Sequence, residues 1–263
     1  MLQALDLEAT TLLLLLLAAL AAGWVDALAG GGGLIQLPAL LLVPGLTPVQ
    51  ALAVNKLGSV FGTLTSAITY LRRSPLPLRQ VLPAAGLAFL TSMAGALLAT
   101  RLSSDLFKPL ILCALILVLA YTIAKPSLGQ QARPRRQGSK ELLLGLGIGA
   151  GLGLYDGFLG PGTGSFLLLA LAGLMGYSFL EATARAKLIN AATNLGALLL
   201  FALAGQQVWA LGLLLGLANM LGGYLGARTA LARGSGLIRW VLILVVTALI
   251  CRLSLDLLGG FES

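Results

Sequence analysis

The sequence predicts an all-α polytopic membrane protein made of two inverted repeats, each a glycine-broken helical hairpin followed by three transmembrane helices. Three observations lead to this fold class. Of the 263 residues, 58% are hydrophobic and 10% are charged, whereas about a quarter of the residues in a soluble domain are charged. Several apolar runs approach the roughly 20 residues that a helix needs to cross a bilayer. An aspartate followed by a glycine-rich break occurs twice, at matching places in the two halves.

The first repeat is predicted to cover residues 1–124. Its hairpin begins with an apolar arm at 11–29 that carries Asp26. Glycines at 30–33 then break the helix, and the second arm at 34–43 is only about 15 Å long as a helix, roughly half a bilayer. Prolines, glycines and arginines delimit the three helices that follow, which are predicted at about 48–70, 78–100 and 106–124.

Residues 125–140 (KPSLGQQARPRRQGSK) form a hydrophilic linker with five basic residues and two prolines. Such a segment is expected to be exposed, and we place it in the cytoplasm. The second repeat is predicted to cover residues 141–263. Its hairpin has a long arm at 141–159, a GPGTG break and a short arm at 165–175. Helices are predicted to follow at about 179–203, 208–231 and 237–257.

The repeat extends beyond the two breaks. In each half an aspartate, Asp26 or Asp156, precedes the first glycine of the break by four residues. In the helix after each hairpin, ALAVNKL matches ATARAKL, which aligns Lys56 with Lys187 at a spacing of 131 residues, against 130 for the aspartates. Two copies of an unusual segment in corresponding halves are typical of membrane transporters built from repeats.

The distribution of charge predicts how the hairpins sit in the membrane. If each broken segment crosses the bilayer, basic residues fall on both faces. If each is a hairpin that enters and leaves on the same side, the halves are inverted, and most of the 17 Lys and Arg residues share one face with the linker. The positive-inside rule favours the second arrangement, with both termini outside. The N-terminus lacks the basic region of a cleaved signal peptide and is expected to remain in the mature protein.

Composition also limits the chemistry. The net charge of +8 does not require a nucleic-acid partner, because basic cytoplasmic loops account for it. Histidine is absent, which excludes imidazole bases and His-ligated metal sites, and no cofactor is expected. Cys113 and Cys251 each lie in an apolar run and are interpreted as packed thiols. No GxxxxGK[ST] motif occurs, so the chain is not expected to hydrolyse ATP.

Four ionisable residues lie inside predicted membrane segments. Asp26 and Asp156 precede the breaks, and Lys56 and Lys187 lie about two turns into the following helices. A charged side chain at the bilayer centre costs at least about 2.5–3.5 kcal/mol, so two such pairs indicate a structural or functional requirement. One interpretation is a structural salt bridge within each repeat. The other is a functional site between the repeats.

The functional interpretation is an anion site. Each short arm begins near mid-membrane, where its free N–H groups and helix dipole favour negative charge, and glycines let the backbone approach a ligand. Polar residues on one face of the next helix extend the site, although helix–helix hydrogen bonding is an alternative role for them. Asp26 and Asp156 are assigned a coupling or structural role, and Gly32 and Gly162 are expected to be equivalent. The predicted substrate-binding residues are Gly31, Gly32, Gly33, Lys56, Ser59, Gly162, Thr163, Gly164, Lys187, Asn190 and Asn194.

The same segments carry a family resemblance. GWVDALAGGGGLIQLPALL with ALAVNKLGSVFGT resembles the first half of the sulfite exporter TauE/SafE family, and YDGFLGPGTGSFLL with ATARAKLINAATNLGALLLFALAGQQVWALG resembles its second half. The resemblance covers nearly the whole chain except the linker. It implies an integral permease of the bacterial inner membrane for sulfite, sulfonates or related small anions. Val54 is a departure, since the resemblance leads us to expect a threonine there.

The leading hypothesis is a multi-pass secondary transporter, an exporter of a small anion such as sulfite, a sulfonate or a related organosulfur compound. The anion would bind at mid-membrane between the repeats, and an ion or proton gradient would drive its transport. An anion channel with the same site chemistry is an alternative. An intramembrane aspartyl protease is another, but Asp26 lies in VDALAG and lacks a GxGD context, so no enzyme is expected. The expected partners are the anionic substrate and the lipid bilayer, with a homodimer left open.

Overall fold

A computed structural model of the chain describes residues 8–73, 76–101 and 138–259, with side chains described only in part from 239 onwards. All regular secondary structure in these ranges is helical, which agrees with the predicted all-α class. The elements in chain order are α1 (Ala9–Ala29), α2 (Gly33–Leu41), α3 (Pro48–Arg73), α4 (Leu78–Ala99), α5 (Ser139–Phe158), α6 (Thr163–Ala170), a π-helical turn (Leu171–Met175), α7 (Phe179–Leu203) and α8 (Trp209–Gly259).

The helix boundaries follow the predicted ones closely. The two helices predicted at 208–231 and 237–257 meet at a kink at Gly234, whose φ of 71° and ψ of −165° are not helical, and α8 spans both of them. The short arm of the second hairpin is α-helical only as far as Ala170, and its last turn is π-helical. The helix predicted at 106–124 and residues 125–137 of the linker lie outside the described residues.

Among the described helices, four are long and apolar enough to cross a membrane: α1, α4, α7 and the Trp209–Ile238 part of α8. Large apolar side chains face outwards along them, including Leu13, Leu90 and Leu217, each more than half exposed. An apolar exterior of this extent is what a lipid-facing surface requires. These features support a polytopic membrane protein. The inverted orientation of the two halves remains a prediction.

The two halves are interlocked. The long hairpin arm of each half packs against the fourth helix of the other half, α1 against α8 and α5 against α4. Equivalent glycines mark both contacts: a Cβ on Gly23 would lie 2.2 Å from the carbonyl oxygen of Asn219, and a Cβ on Gly153 would lie 2.6 Å from that of Ala88. Residues 23 and 153 are therefore equivalent in the two halves, and so are residues 88 and 219. Residues 88 and 219 have the same 131-residue spacing as the two lysines, so the repeat extends into α4 and α8.

Glycines also allow close packing of α4 on α5 and of α8 on α1 at other positions. A Cβ on Gly95 would lie 2.1 Å from the carbonyl oxygen of Leu154, and one on Gly222 would lie 2.0 Å from that of Leu20. Small residues let membrane helices approach closely and gain van der Waals contact. This close packing holds α3 and α7, which contact each other, in the middle of the bundle.

Candidate functional site

The first helix break lies between α1 and α2. Gly30 ends α1 in the left-handed region with a φ of 76°, and its N–H donates to the carbonyl oxygen of Asp26 over 2.8 Å. The Asp26 carboxylate is buried and its Oδ1 accepts from the N–H of Gly32 over 3.4 Å. The aspartate therefore accepts hydrogen bonds across its own break through both its backbone and its side chain.

The second break, between α5 and α6, is held by different groups. Gly160 and Gly162 both have positive φ, 81° and 84°. The Thr163 hydroxyl donates to the carbonyl oxygen of Gly160 over 2.8 Å, and the Tyr155 hydroxyl donates to that of Pro161 over 2.8 Å. These side chains fix the loop and leave the Asp156 carboxylate available for a partner elsewhere.

The two breaks contact each other directly. The N–H of Ser165 donates to the carbonyl oxygen of Gly30 over 3.2 Å, and its hydroxyl donates to that of Ala29 over 2.7 Å. A Cβ on Gly30 would lie 2.0 Å from the carbonyl carbon of Gly164, and a Cβ on Gly164 would lie 2.4 Å from the Cα of Gly30. Glycine is required here because the backbones of the two halves meet with no space for a side chain.

Two buried ion pairs join the halves on either side of this contact. Lys187 Nζ donates to Asp26 Oδ2 over 2.6 Å, and Lys56 Nζ lies 2.7 Å from Asp156 Oδ2. Each pair links one half with the other. The salt bridges within each repeat, which the sequence allowed, are therefore not formed.

A cavity lies where the breaks meet, with about 270 Å³ of space between the atoms, counting the part open to the outside. We call it the central cavity. It is bounded by both breaks and by the polar faces of α3 and α7. Its lining residues are Asp26, Gly30, Gly33, Asn55, Lys56, Ser59, Asp156, Gly160, Gly162, Thr163, Gly164, Asn190 and Asn194.

Ten of the 13 residues assigned to the site from the sequence line the central cavity, and Gly31, Gly32 and Lys187 do not. The ammonium group of Lys187 is bound to Asp26 and borders the cavity only through it. Gly32 faces α1, because a Cβ on it would lie 2.6 Å from the Cβ of Asp26. Its φ of −59° contrasts with the 84° of Gly162, so these two glycines differ in backbone conformation, contrary to the expected equivalence.

Three lining residues were missed by the sequence analysis: Gly30, Gly160 and Asn55. The two glycines were identified as helix breakers only, yet a Cβ on Gly160 would lie 3.3 Å from Lys56 Nζ. Asn55 directly precedes Lys56 and could have been found from that position. It was overlooked because its counterpart in the second half is Ala186. The buried Oδ1 of Asn55 has no hydrogen-bond partner among the described residues.

The charges around the central cavity balance. Two lysines face two aspartates, and the remaining lining side chains are neutral amides and hydroxyls. Asn194 Nδ2 donates to Asn190 Oδ1 over 3.4 Å, which orders these amides along α7. Such a site offers N–H and O–H donors to a ligand, while an added charge would be unbalanced unless a proton or a counter-ion accompanies it.

Comparison with known proteins gives consistent results. The family model described as "Sulfite exporter TauE/SafE" matches residues 15–253. The chain is 38% identical over 251 residues to "Probable membrane transporter protein ORF9" of Sinorhizobium sp, covering 95% of each chain. It is also 38% identical over 238 residues to "Probable membrane transporter protein YfcA" of Escherichia coli (strain K12), covering 90% of this chain and 87% of the relative. No solved structure matches the chain.

Proposed function

The chain belongs to the sulfite exporter TauE/SafE family, and from this premise we propose that it is a secondary transporter that exports a small anion across the bacterial inner membrane. Its family and relatives identify it as a membrane transporter. The substrate we propose is sulfite, a sulfonate or a related organosulfur anion, bound in the central cavity between the two halves. The bacterial origin of the relatives supports the location.

The central cavity is the observation that carries this proposal. It is lined by both helix breaks and by Lys56. The N–H groups of Gly33 and Gly164, in the first turns of α2 and α6, together with the amides of Asn190 and Asn194, are suitable donors for the oxygens of the proposed anion.

The balanced charges suggest how anion binding is coupled to protons. An anion that pairs with Lys56 displaces Asp156 as its partner, which leaves an uncompensated carboxylate in the membrane. We propose that Asp156 takes up a proton at this step and releases it when its pair with Lys56 forms again. The cross-half pairs also favour a transporter over an aspartyl protease. Each aspartate is held by a lysine, whereas a protease dyad has two carboxyl groups that share one proton.

The test of transport is counterflow of [35S]sulfite in proteoliposomes. Vesicles loaded with unlabelled sulfite and diluted into a trace of labelled sulfite should accumulate label transiently above its equilibrium level. A carrier exchanges substrate in this way, whereas a channel lets label equilibrate without an overshoot. Liposomes without protein are the control. In a separate assay, an imposed pH gradient should drive concentrative uptake of labelled sulfite into vesicles without internal sulfite, and an ionophore that collapses the gradient should abolish it. Uptake that does not depend on the gradient would exclude proton coupling.

The inverted arrangement of the repeats, with the halves divided by the linker at 125–140, also remains a proposal. Glu8 and Ser139 are exposed and lie at the starts of the two hairpins, so inversion places them on opposite membrane faces. In a chain with Cys113 and Cys251 replaced by Ala, an impermeant maleimide should label Glu8→Cys in intact cells and Ser139→Cys only in inside-out vesicles. Labelling of both positions from the same face would contradict inverted repeats.

A further inference from the structure

A second cavity lies at the end of the bundle where α5 and α7 begin and α4 passes alongside them, with about 310 Å³ of space between the atoms, counting the part open to the outside. We call it the Arg185 cavity. Its wall includes Arg185, Tyr177, Glu141 and Gln80, none of which belongs to the central site. Gln80 is exposed and Glu141 is half-buried, so the cavity has an outer rim, whereas Arg185 is only 8% exposed.

The guanidinium of Arg185 is buried without a full set of partners. Its Cζ lies 3.8 Å from the ring centroid of Tyr177, which fixes the plane of the guanidinium by stacking. Nε and Nη1 are buried and have no hydrogen-bond partner among the described residues. Burying charged N–H donors without acceptors is costly, and a guanidinium donates strong hydrogen bonds to the oxygens of an acid group. The geometry therefore leaves buried N–H donors available to an oxyanion.

Glu141, the nearby carboxylate, is engaged elsewhere. Its Oε1 accepts a hydrogen bond from the Tyr177 hydroxyl. Burial, with a smaller contribution from this hydrogen bond, raises the pKa of Tyr177 to about 12, so the phenol stays protonated at neutral pH. No carboxylate lies within ion-pair distance of Arg185 in the part of the chain that the structure describes. Arg185 therefore has no internal counter-ion there.

Among the described residues, apolar side chains fill the equivalent place in the first half of the chain. The repeat aligns Arg185 with Val54, Gly145 with Leu15, and Gln80 and Ala84 with two leucines. Those counterparts are at most 5% exposed and belong to one apolar cluster: Leu15, Val54, Leu211 and Leu215. The fold can therefore fill this position with apolar side chains, so the charge and the space in the second half are not required by packing.

The Arg185 cavity lies next to the central cavity along α7. Ile189 lines the former, and the next residue, Asn190, lines the latter. Arg185 and Asn190 are five residues apart, about 7.5 Å along the helix.

We propose that the Arg185 cavity is a second binding site, for an oxyanion whose oxygens accept hydrogen bonds from the guanidinium. A sulfite or sulfonate on its way to or from the central cavity has this chemistry, and so does the phosphate of a lipid headgroup. The identity of the passing anion rests on the proposed function, whereas the site itself rests only on the contacts of Arg185.

Equilibrium binding of [35S]sulfite to the purified protein in lipid-free detergent tests the proposal. The wild type should bind two sulfites per chain, and Arg185→Gln should bind one, with the affinity of the lost site reduced at least tenfold. Glu141→Gln should tighten that site severalfold, because it removes a negative charge from the same wall. The matched control is Arg228→Gln, since Arg228 also stacks on a tyrosine, Tyr224, but is exposed.

Two further variants keep the test decisive. If Arg185→Gln does not fold, two other variants are available. Arg185→Lys retains the charge but lacks the planar guanidinium donors, and it should weaken sulfite binding at the site. Arg185→Val copies the residue of the first half and should remove the site. Full retention of both sites in a folded Arg185 variant would overturn the proposal. The proposal would also be overturned if Glu141→Gln lowered the stability of the protein without tightening sulfite binding, because Arg185 would then contribute to packing alone.

Competition identifies the source of the anion. If phosphatidylglycerol displaces the sulfite that depends on Arg185, the occupant in the membrane is a lipid headgroup; if it does not, the occupant is the free anion. The double variant Lys56→Met/Asp156→Asn, which alters the central cavity, separates this inference from the proposed function. If this double variant still binds one sulfite, and adding Arg185→Gln removes that binding, the result supports the Arg185 cavity even if counterflow is absent.

Discussion

Replacing Lys56 with Met should remove most of the folded protein, and replacing Asp156 with Asn in the same chain should restore the fold without restoring transport. Lys56 and Asp156 form a buried pair over 2.7 Å, with about 2% of each side chain exposed. Breaking a buried pair from one side costs about 3–5 kcal/mol because it leaves an uncompensated charge, whereas replacing both members with neutral residues is often tolerated. Thermal unfolding in detergent and sulfite counterflow measure the two effects.

The matched control is a double variant within one half. Lys56→Met with Asp26→Asn removes the same two charges but takes one from each ion pair, so Asp156 and Lys187 both remain unpaired. It should therefore be less stable than either single variant, and a rescue equal to that of the cross-half double would contradict pairing between the halves. A cross-half double that folds and transports normally would show that Lys56 and Asp156 are structural and do not bind the anion.

Replacing Gly30 with Ala should prevent the two helix breaks from meeting. The backbone there has a φ of 76°, which is unfavourable for alanine, and the added Cβ would lie 2.0 Å from the carbonyl carbon of Gly164. We expect a loss of at least about 2 kcal/mol of stability together with loss of transport. Gly164→Ala should behave in the same way, because its Cβ would lie 2.4 Å from the Cα of Gly30. Thermal unfolding of purified variants and counterflow are the measurements.

Two other glycines serve as comparisons. Gly151 lies on the exposed side of α5, and a Cβ there would meet nothing within 4 Å, so Gly151→Ala should be neutral or stabilising by about 0.4–1 kcal/mol. Gly160→Ala places its Cβ 3.3 Å from Lys56 Nζ and should reduce transport more than Gly151→Ala does. Equal stability of Gly30→Ala and Gly151→Ala would show that the breaks do not depend on direct backbone contact.

The sequence alone determined the features that depend on neighbouring residues. The helix predicted at 179–203 is α7 (Phe179–Leu203), because apolar composition and a Ser178 cap with Glu181 specify it locally. The breaks follow from consecutive glycines, which adopt positive φ without strain. The repeat then indicated which polar residues belong together, and most of them line the central cavity.

Only the tertiary structure decided which partners these residues have. Asp26 and Lys187 are 161 residues apart, and the repeat makes pairing within a half and pairing between halves equally compatible with the sequence. Packing of α1 on α8 and of α5 on α4 selects the cross-half pairs. The same packing turns Gly32 towards α1 and leaves space beside Arg185 but none beside Val54. Local patterns report the backbone conformation and polarity of a segment, whereas the neighbours of a buried charge depend on how distant helices pack.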